Sequence, residues 1–544
     1  MSAQEASPSE RFVLPVILAR RARSTPERPF VEEITGGRVT YAEAHHRVLR
    51  WASALAHRGA GTGQAVLLLA PNRLDTILIW FGIGWTGALE VPVHTAYRGR
   101  MLSYIVNDSR AEIILVAPEY LAALLAGAED YAHLKTIVVL GDEPVAEHVA
   151  GFEILRAAEF LDAAPERTFA EPKPADIASI LYTSGTTGPS KGVLVPWRQM
   201  FQTGNALNPT DDITADDVFY LTLPLFHLGG RALLALAVIV GALTVLRESF
   251  STSNFWPDVE RHGCTTTMLL GSMISFLVGQ GPSPEDAVRP LRNALCIPLP
   301  PDVDAFRQRF GCRVHTWFGM TEVGIPIAVA GWDTRNGGGC GRPLPGYTAR
   351  VVDEDDEEVP PGTPGELILR GDEPGMLNAG YWGMPERTVE AWRNLWFHTG
   401  DAVIRDENGM FHFFDRWKDA VRRRGENISA MEVEMEINRH PDVLESAVVA
   451  APSEHSEDEV LAYVVVHQNR ELDPADLLKF LIPRMPYFMV PRYIRYARDL
   501  PRTPTQKIRK TELSREITEA VWDREQAGIV VSRPPLASDE RRTL

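Results

Sequence analysis

The sequence predicts an α/β protein with a large N-terminal region that ends in a β-rich subdomain, and a small α+β C-terminal domain. Three observations predict it. Apolar runs of strand length alternate with longer helical patterns over the first two thirds of the chain; strand-like pieces between Pro/Gly-rich or acidic turns follow; from Ala430 helix and strand patterns alternate again.

Taken in order, the start MSAQEASPSERFVLPVILARRARS carries early acids and only a short apolar run, so it does not read as a secretory signal. Ala65–Leu69, Ile113–Val116, Thr136–Leu140 and Ile177–Tyr182 are short apolar runs expected as buried strands, with a helix over Leu74–Gly87. The most apolar segment, Ala232 to Leu246, is shorter than the roughly 18–20 residues a membrane-spanning helix needs and is expected as a buried core helix. Strands are expected at Ala349–Val352, Glu366–Arg370 and Phe411–Phe414, then a helix over Met431–Arg439, strands at Ser446–Ala451 and Leu461–His467, and a helix over Pro474–Arg484. The charged segment Asp415–Arg424 is the expected boundary. It divides residues 1–414, with the β-rich subdomain at about 340–414, from a compact C-terminal unit at 415–530 and a flexible polar tail at 531–544.

The chain has 544 residues, 45% hydrophobic, and a formal charge of −17. That length suits several domains around substantial cores. The acidic balance argues against a general nucleic-acid binder, which needs clustered positive charge, but leaves room for a local basic pocket. The 4 cysteines, Cys264, Cys296, Cys312 and Cys340, form no CxxC pair, so neither a disulfide framework nor a zinc site is expected, and the reading is cytoplasmic.

The most informative run is Leu181-Tyr-Thr-Ser-Gly-Thr-Thr-Gly-Pro-Ser-Lys-Gly-Val193, between two strand-like stretches. Its glycines let the backbone approach a ligand closely. The hydroxyls of Thr183, Ser184, Thr186 and Thr187, with the N–H groups of Gly185 and Gly188, can donate to phosphate oxygens, and Lys191 adds positive charge. It is not a Walker loop, because Ser190 stands where the second glycine is needed.

This run resembles the signature loop of the adenylate-forming superfamily, which contains acyl-CoA synthetases, luciferases and peptide-synthetase adenylation domains. Further motifs follow in that family's order: Leu223-Pro-Leu-Phe-His-Leu-Gly-Gly230, Trp317-Phe-Gly-Met-Thr-Glu322, Pro364-Gly-Glu-Leu367, Gly380-Tyr-Trp382, His398-Thr-Gly-Asp401, Asp415-Arg-Trp-Lys-Asp419, Arg424-Gly-Glu-Asn-Ile428 and Pro501-Arg-Thr-Pro-Thr-Gln-Lys507. The runs RRRGENIS and PRTPTQK are most similar to the carnitine/crotonobetaine-CoA ligase-like branch. The chain as a whole is more faintly similar to acyl-CoA ligases of platensimycin-type diterpenoid pathways, although no residue encodes a ring system.

The resemblance implies two steps: a carboxylate attacks the α-phosphate of ATP, releasing pyrophosphate, and a thiol then displaces AMP from the acyl-AMP. It implies that Glu322 holds Mg²⁺, Thr321 contacts the α-phosphate, Phe318 lies at the nucleotide, Asp401 accepts from the ribose hydroxyls with Arg416 assisting, and Lys507 bridges the carboxylate and α-phosphate. His227 and Phe226 would flank the channel to the thiol of coenzyme A. Lys418 would be the hinge, and Arg422, Arg423, Arg424 and Gly425 would meet coenzyme A after domain rotation. Phe226, Leu228, Leu270, Trp317, Gly319, Met320 and Val323 would form the acyl pocket, with Met268 nearby. The resemblance also implies two sheets in the N-terminal domain, a mobile C-terminal lid domain, and an aromatic/His gate at Leu223–Gly230. Amino-acid-activating relatives carry an Asp shortly after that gate; none follows it here, which disfavours amino acids, and the largely apolar pocket suits a hydrophobic acid.

Two positions depart from the family pattern. Leu295-Cys296-Ile297 stands where relatives carry Gly-Gly-Ala, and Gln506 stands where a glycine precedes the lysine. Added volume beside a ligand blocks its approach. A ligase that only transfers a preformed acyl-adenylate from a partner adenylating enzyme is therefore the first alternative. A luciferase-like oxygenase and a non-catalytic acyl-nucleotide-binding module are the others. The expected partners are a small carboxylic acid, coenzyme A or a carrier-protein thiol, and a second copy in a homodimer, with no nucleic acid and no membrane span.

Overall fold

The computed structural model describes residues 6–141, 148–149, 151–183, 190–300, 302–332, 334, 339–416, 420–423, 426–453, 457–468, 470–501, 508 and 510–531. Within these, two mainly parallel sheets form the frame of the N-terminal region. One is 6-stranded, in the order Leu89–Pro92, Ala65–Leu69, Ile113–Val116, Thr136–Val139, Phe152–Arg156, His148–Val149. The other is 7-stranded, in the order Arg313–His315, Asn293–Cys296, Thr266–Leu269, Val218–Leu221, Leu243–Leu246, Pro29–Glu33, Arg38–Thr40. In each only the last-named strand runs antiparallel to its neighbour. Ala65–Leu69 and Ile113–Val116 are buried at every position, as parallel strands covered on both faces must be.

The helix Leu74–Thr86 packs between the sheets, with Trp80 and Trp197 stacked at 5.7 Å. The apolar segment expected as one helix is instead a helix, Leu228–Val240, followed by the strand Leu243–Leu246. Gly241, at φ +84°, takes the left-handed conformation that ends the helix after Val240, and Leu243–Leu246 then joins the parallel sheet. Hydrophobicity sees burial but not this stop.

A 4-stranded antiparallel sheet, Tyr347–Val352, Pro364–Gly371, Phe397–Arg405 and Phe411–Arg416, forms the β-rich part. The C-terminal part contains the hairpin Ala420–Arg423/Glu426–Ser429, the helix Ala430–Ile437 and a second 4-stranded sheet, with Pro474–Leu481 against it. Its own apolar cluster includes Val421, Ile428, Val433, Leu478 and Ile494. Among the described residues no helix is long and apolar enough to cross a membrane, and all four cysteines are free thiols. The tail at 532–544 lies outside the described residues.

Candidate active site

The loop singled out in the sequence joins two antiparallel strands, Ile177–Thr183 and Lys191–Pro196. Thr183 sits directly opposite Lys191, so the ends of the loop are held side by side. Ser184, Gly185, Thr186, Thr187 and Gly188 lie outside the described residues. The Lys191 ammonium lies 5.1 Å from the centre of the Tyr381 ring, a cation–π arrangement. Tyr381 pairs its backbone with Val193 and donates its hydroxyl to Glu322 Oε1 at 3.3 Å. Burial, followed by the Glu322 carboxylate, pushes the Tyr381 phenol far above its ordinary range, so it remains a donor. Asn378 holds the Glu322 carbonyl through its backbone N–H at 3.0 Å and its side-chain amide at 2.8 Å. Gln199 donates to the Thr321 carbonyl at 2.8 Å. Thr321 and Glu322 are thus positioned by backbone anchors from two other elements.

Asp401 lies in the strand Phe397–Arg405, buried, just after Gly400. Gly400, at φ +70°, needs the freedom of a residue without Cβ, and its N–H donates to Glu366 Oε1 at 3.0 Å. The other Glu366 oxygen lies 3.0 Å from His398 Nδ1. Asp401 faces Arg416 across the strand pair; the Arg416 side chain lies outside the described residues.

On the apolar side, the turn before the helix Leu228–Val240 is held by a buried cation. Arg231 donates through Nε to the Leu225 carbonyl at 2.5 Å and forms a two-pronged pair with Glu90, at 2.7 and 3.0 Å. Gly230 is compulsory here, because a Cβ would meet the Pro224 and Leu223 carbonyl oxygens at 2.4 and 2.6 Å. The strand Trp317–Met320 places Trp317 and Gly319 on the cavity, and the register shift after Phe318 brings Met320 there too.

One cavity of about 690 Å³ joins these parts. Thr183, Lys191, Thr321, Glu322 and Asp401 line it, as do Phe226, His227, Leu228, Met268, Leu270, Trp317, Gly319 and Met320. Glu426, Tyr487, Phe488 and Met489 of the C-terminal part line it as well. Glu426, at the start of the strand Glu426–Ser429, receives two histidines of the N-terminal part: His94 Nε2 at 3.2 Å from Oε1 and His227 Nε2 at 2.7 Å from Oε2. Burial pulls the His227 imidazolium pKa down, but the Glu426 carboxylate outweighs it and the net shift is upward. Burial alone would raise the Glu426 pKa; His227 and His94 reverse this and hold it well below the carboxylate range. A second link ties Glu432 to the end of the loop, accepting from Ser190 N–H at 3.1 Å and Ser190 Oγ at 2.7 Å.

Two imidazoles and a carboxylate within 4.8 Å form a possible metal donor set. The Ala96 N–H, however, donates to His94 Nδ1 at 3.0 Å, which puts the His94 proton on Nε2 and makes that atom a hydrogen-bond donor to Glu426. A ligating histidine needs the opposite arrangement, with its second nitrogen donating.

Several residues singled out in the sequence lie elsewhere. Phe318 and Val323 do not line the cavity: Phe318 alternates to the opposite face from Trp317, and both pack with Ile327, Tyr347 and Leu369. Arg423 is not available to coenzyme A in this arrangement. It is buried, paired to Glu459 at 2.6 Å and donating to the Phe488 carbonyl at 2.7 Å. Of the three residues that replace the family's small turn, Leu295 and Cys296 point into two apolar cores and only Ile297 reaches the cavity. Lys418, Arg424, Gly425, Gln506 and Lys507 lie outside the described residues, as does the side chain of Arg422. His94 has no motif around it that marks it in the sequence. Glu426 and Tyr381 lie inside the motifs Arg424–Ile428 and Gly380–Trp382, but only their tertiary partners reveal what they hold.

Residues 18–382 match the AMP-binding enzyme family and residues 432–507 match the AMP-binding enzyme C-terminal domain. The chain is 32% identical over 484 residues to a crotonobetaine/carnitine–CoA ligase of Salmonella arizonae, covering 87% of this chain and 92% of that protein. It is 31% identical over 509 residues to a sulfoacetate–CoA ligase of Cupriavidus necator, covering 92% and 97%. Among solved structures it is similar to the amide bond synthetase McbA of Marinactinospora thermotolerans, with a TM-score of 0.79 and 26% identity over 91% of this chain and 98% of that one. The o-succinylbenzoate CoA synthetase of Bacillus subtilis shares the fold, with a TM-score of 0.77 and 24% identity over 91% and 97%. The chain therefore belongs to the AMP-binding enzyme family. It is an acid–thiol ligase of the AMP-forming acyl-CoA synthetase type.

Proposed function

We propose that this enzyme converts a hydrophobic carboxylic acid to its coenzyme A thioester through an acyl-adenylate, using ATP and releasing AMP and pyrophosphate. The observation that carries the reading is one cavity lined at once by apolar side chains, by Lys191, Thr321, Glu322 and Asp401, and by Glu426 of the C-terminal hairpin. In the first step the acid's oxygen bonds to the α-phosphorus as the bond to pyrophosphate breaks. In the second, the coenzyme A sulfur bonds to the acyl carbon, the thiol proton leaves, and AMP departs with the electron pair of the broken acyl–oxygen bond.

Lys191 and the Thr321 hydroxyl are suited to the phosphate charge that builds up in the first step, in a site partly closed to water. Asp401, buried beside Gly400, is suited to accept from the ribose hydroxyls. Glu322, a buried carboxylate on the cavity held in place by Tyr381 and Asn378, is a fitting ligand for Mg²⁺, with substrate oxygens and water filling the other positions. When bound, that ion would neutralise phosphate charge. The hairpin against His94 and His227 suits the thiol-transfer step, and rotation about Lys418 would bring Lys507 in for adenylation.

An apolar acid is favoured because Phe226, Leu228, Met268, Leu270, Trp317 and Met320 make up one wall. Among the described residues, these six side chains carry no charge to pair with a second anionic group such as that of sulfoacetate.

Ile297, projecting into the cavity, favours one second reading, in which adenylation is weak and a preformed acyl-AMP is the real substrate. Two assays separate them: pyrophosphate–ATP exchange across a panel of apolar and polar acids, and thioester formation from synthetic acyl-AMP plus coenzyme A. Exchange with apolar acids supports the first reading; thioester formation without exchange supports the second; neither activity refutes both.

A further inference from the structure

We propose that His94 is a positioning residue: it forms, with His227, a two-sided clamp on Glu426 that holds the C-terminal hairpin over the cavity for the thiol-transfer step. The inference rests on the proposed two-step reaction and goes beyond it in assigning a role to a residue outside every motif.

The geometry is specific. His94 follows the strand Leu89–Pro92 at the edge of the 6-stranded sheet, and its ring is only 9% exposed. Phe226 lies at a ring-centre distance of 4.2 Å, Tyr97 at 5.0 Å and Phe488 at 5.0 Å, so the ring is packed by both parts of the chain. The Ala96 N–H at Nδ1 fixes the tautomer, leaving Nε2–H to donate to Glu426 Oε1 at 3.2 Å. His227 takes the other oxygen at 2.7 Å.

With His227 alone, one oxygen of a carboxylate that is only 16% exposed would lose its His94 donor. Leaving a largely desolvated acceptor without its donor is unfavourable, the more so when it carries charge. The His94 donor removes that cost only while the hairpin is docked. His94 thereby stabilises the docked arrangement selectively, and a group that favours one of two arrangements shifts the population between them.

Two substitutions separate the donor from the ring. His94→Phe keeps the aromatic packing and deletes the donor. His94→Gln loses the ring but places an amide N–H near the position of Nε2. Hydrogen exchange of the backbone at residues 426–430, on the full chain without ligands, reads docking independently of any activity. The expected result is exchange at least about five-fold faster in His94→Phe, returning toward wild type in His94→Gln. Kinetically, His94→Phe is expected to slow thioester formation from acyl-AMP by at least ten times more than it slows pyrophosphate exchange. A purely packing role predicts the reverse order, with Gln worse than Phe, and that order or unchanged exchange in Phe overturns the inference. If the wild type makes no thioester, the proposed reaction fails while the exchange measurement still decides the clamp.

Discussion

Replacing Arg231 with methionine tests the physical account of the gate most severely. Arg231 and Glu90 are 1% and 0% exposed, paired at 2.7 and 3.0 Å. The Arg231 guanidinium also donates to Ser179 Oγ at 2.7 Å and lies 4.1 Å from the centre of the Trp80 ring. Arg231→Met fills much of the volume but leaves the Glu90 carboxylate buried with no cation and frees the Leu225 carbonyl. Breaking one side of a buried pair costs about 3–5 kcal/mol, and an orphaned carbonyl about 1–3 more, although the two losses share one site and will not simply add. The expected loss of unfolding free energy is therefore about 4 kcal/mol. Denaturant unfolding followed by tryptophan fluorescence measures it, with the slope checked to be unchanged. The companion Glu90→Leu/Arg231→Met should recover most of the loss, because it removes the uncompensated charge. A single variant that loses less than about 1 kcal/mol, or a double variant no better than the single, would refute the claim that the pair's charges are what matter.

Other expectations follow from the site. Lys191→Ala should lower pyrophosphate exchange by about 10²–10³-fold, the scale for losing one preorganised donor to developing charge, and a change under five-fold would count against its role. Gly230→Ala must push a Cβ against two carbonyl oxygens at 2.4 and 2.6 Å, so a destabilisation of about 1–3 kcal/mol is expected by thermal unfolding; an unshifted midpoint would contradict the packing. The His227 pKa is raised above its ordinary 6.5, so its pairing with Glu426 is fully present below about that pH and fades as pH rises through the raised value. The Glu426 pKa is depressed below 4.5, so its share is present above that value and is lost only in strong acid. Docking of the hairpin should accordingly weaken on the alkaline side. Histidine NMR of His227 should show its pKa falling in Glu426→Gln, and an unmoved titration would remove the coupling.

Much of the N-terminal architecture was legible in the chain. Buried parallel strands such as Ala65–Leu69 and Ile113–Val116 announce themselves by unbroken apolar runs, and the helix Leu74–Thr86 by its length. Thr321, Glu322 and Asp401 stand in contiguous motifs, and the structure brings all three to one cavity. The segment Ala232–Leu246 was misread because burial is shared by core helices and parallel strands, and only the turn at Gly241 divides them.

What required tertiary structure was the meeting of residues far apart in sequence. Whether Phe318 faces ligand or core depends on strand alternation and a register shift, and whether Arg423 reaches solvent depends on Glu459 lying opposite it. His94, His227 and Glu426 belong to three segments whose contact needs both parts of the chain in place. Local motifs specify which chemical groups are present. Which of them share one charge is decided only when packing closes the distance between them, because hydrogen bonds and ion pairs act over a few ångströms and sequence spacing does not measure that distance.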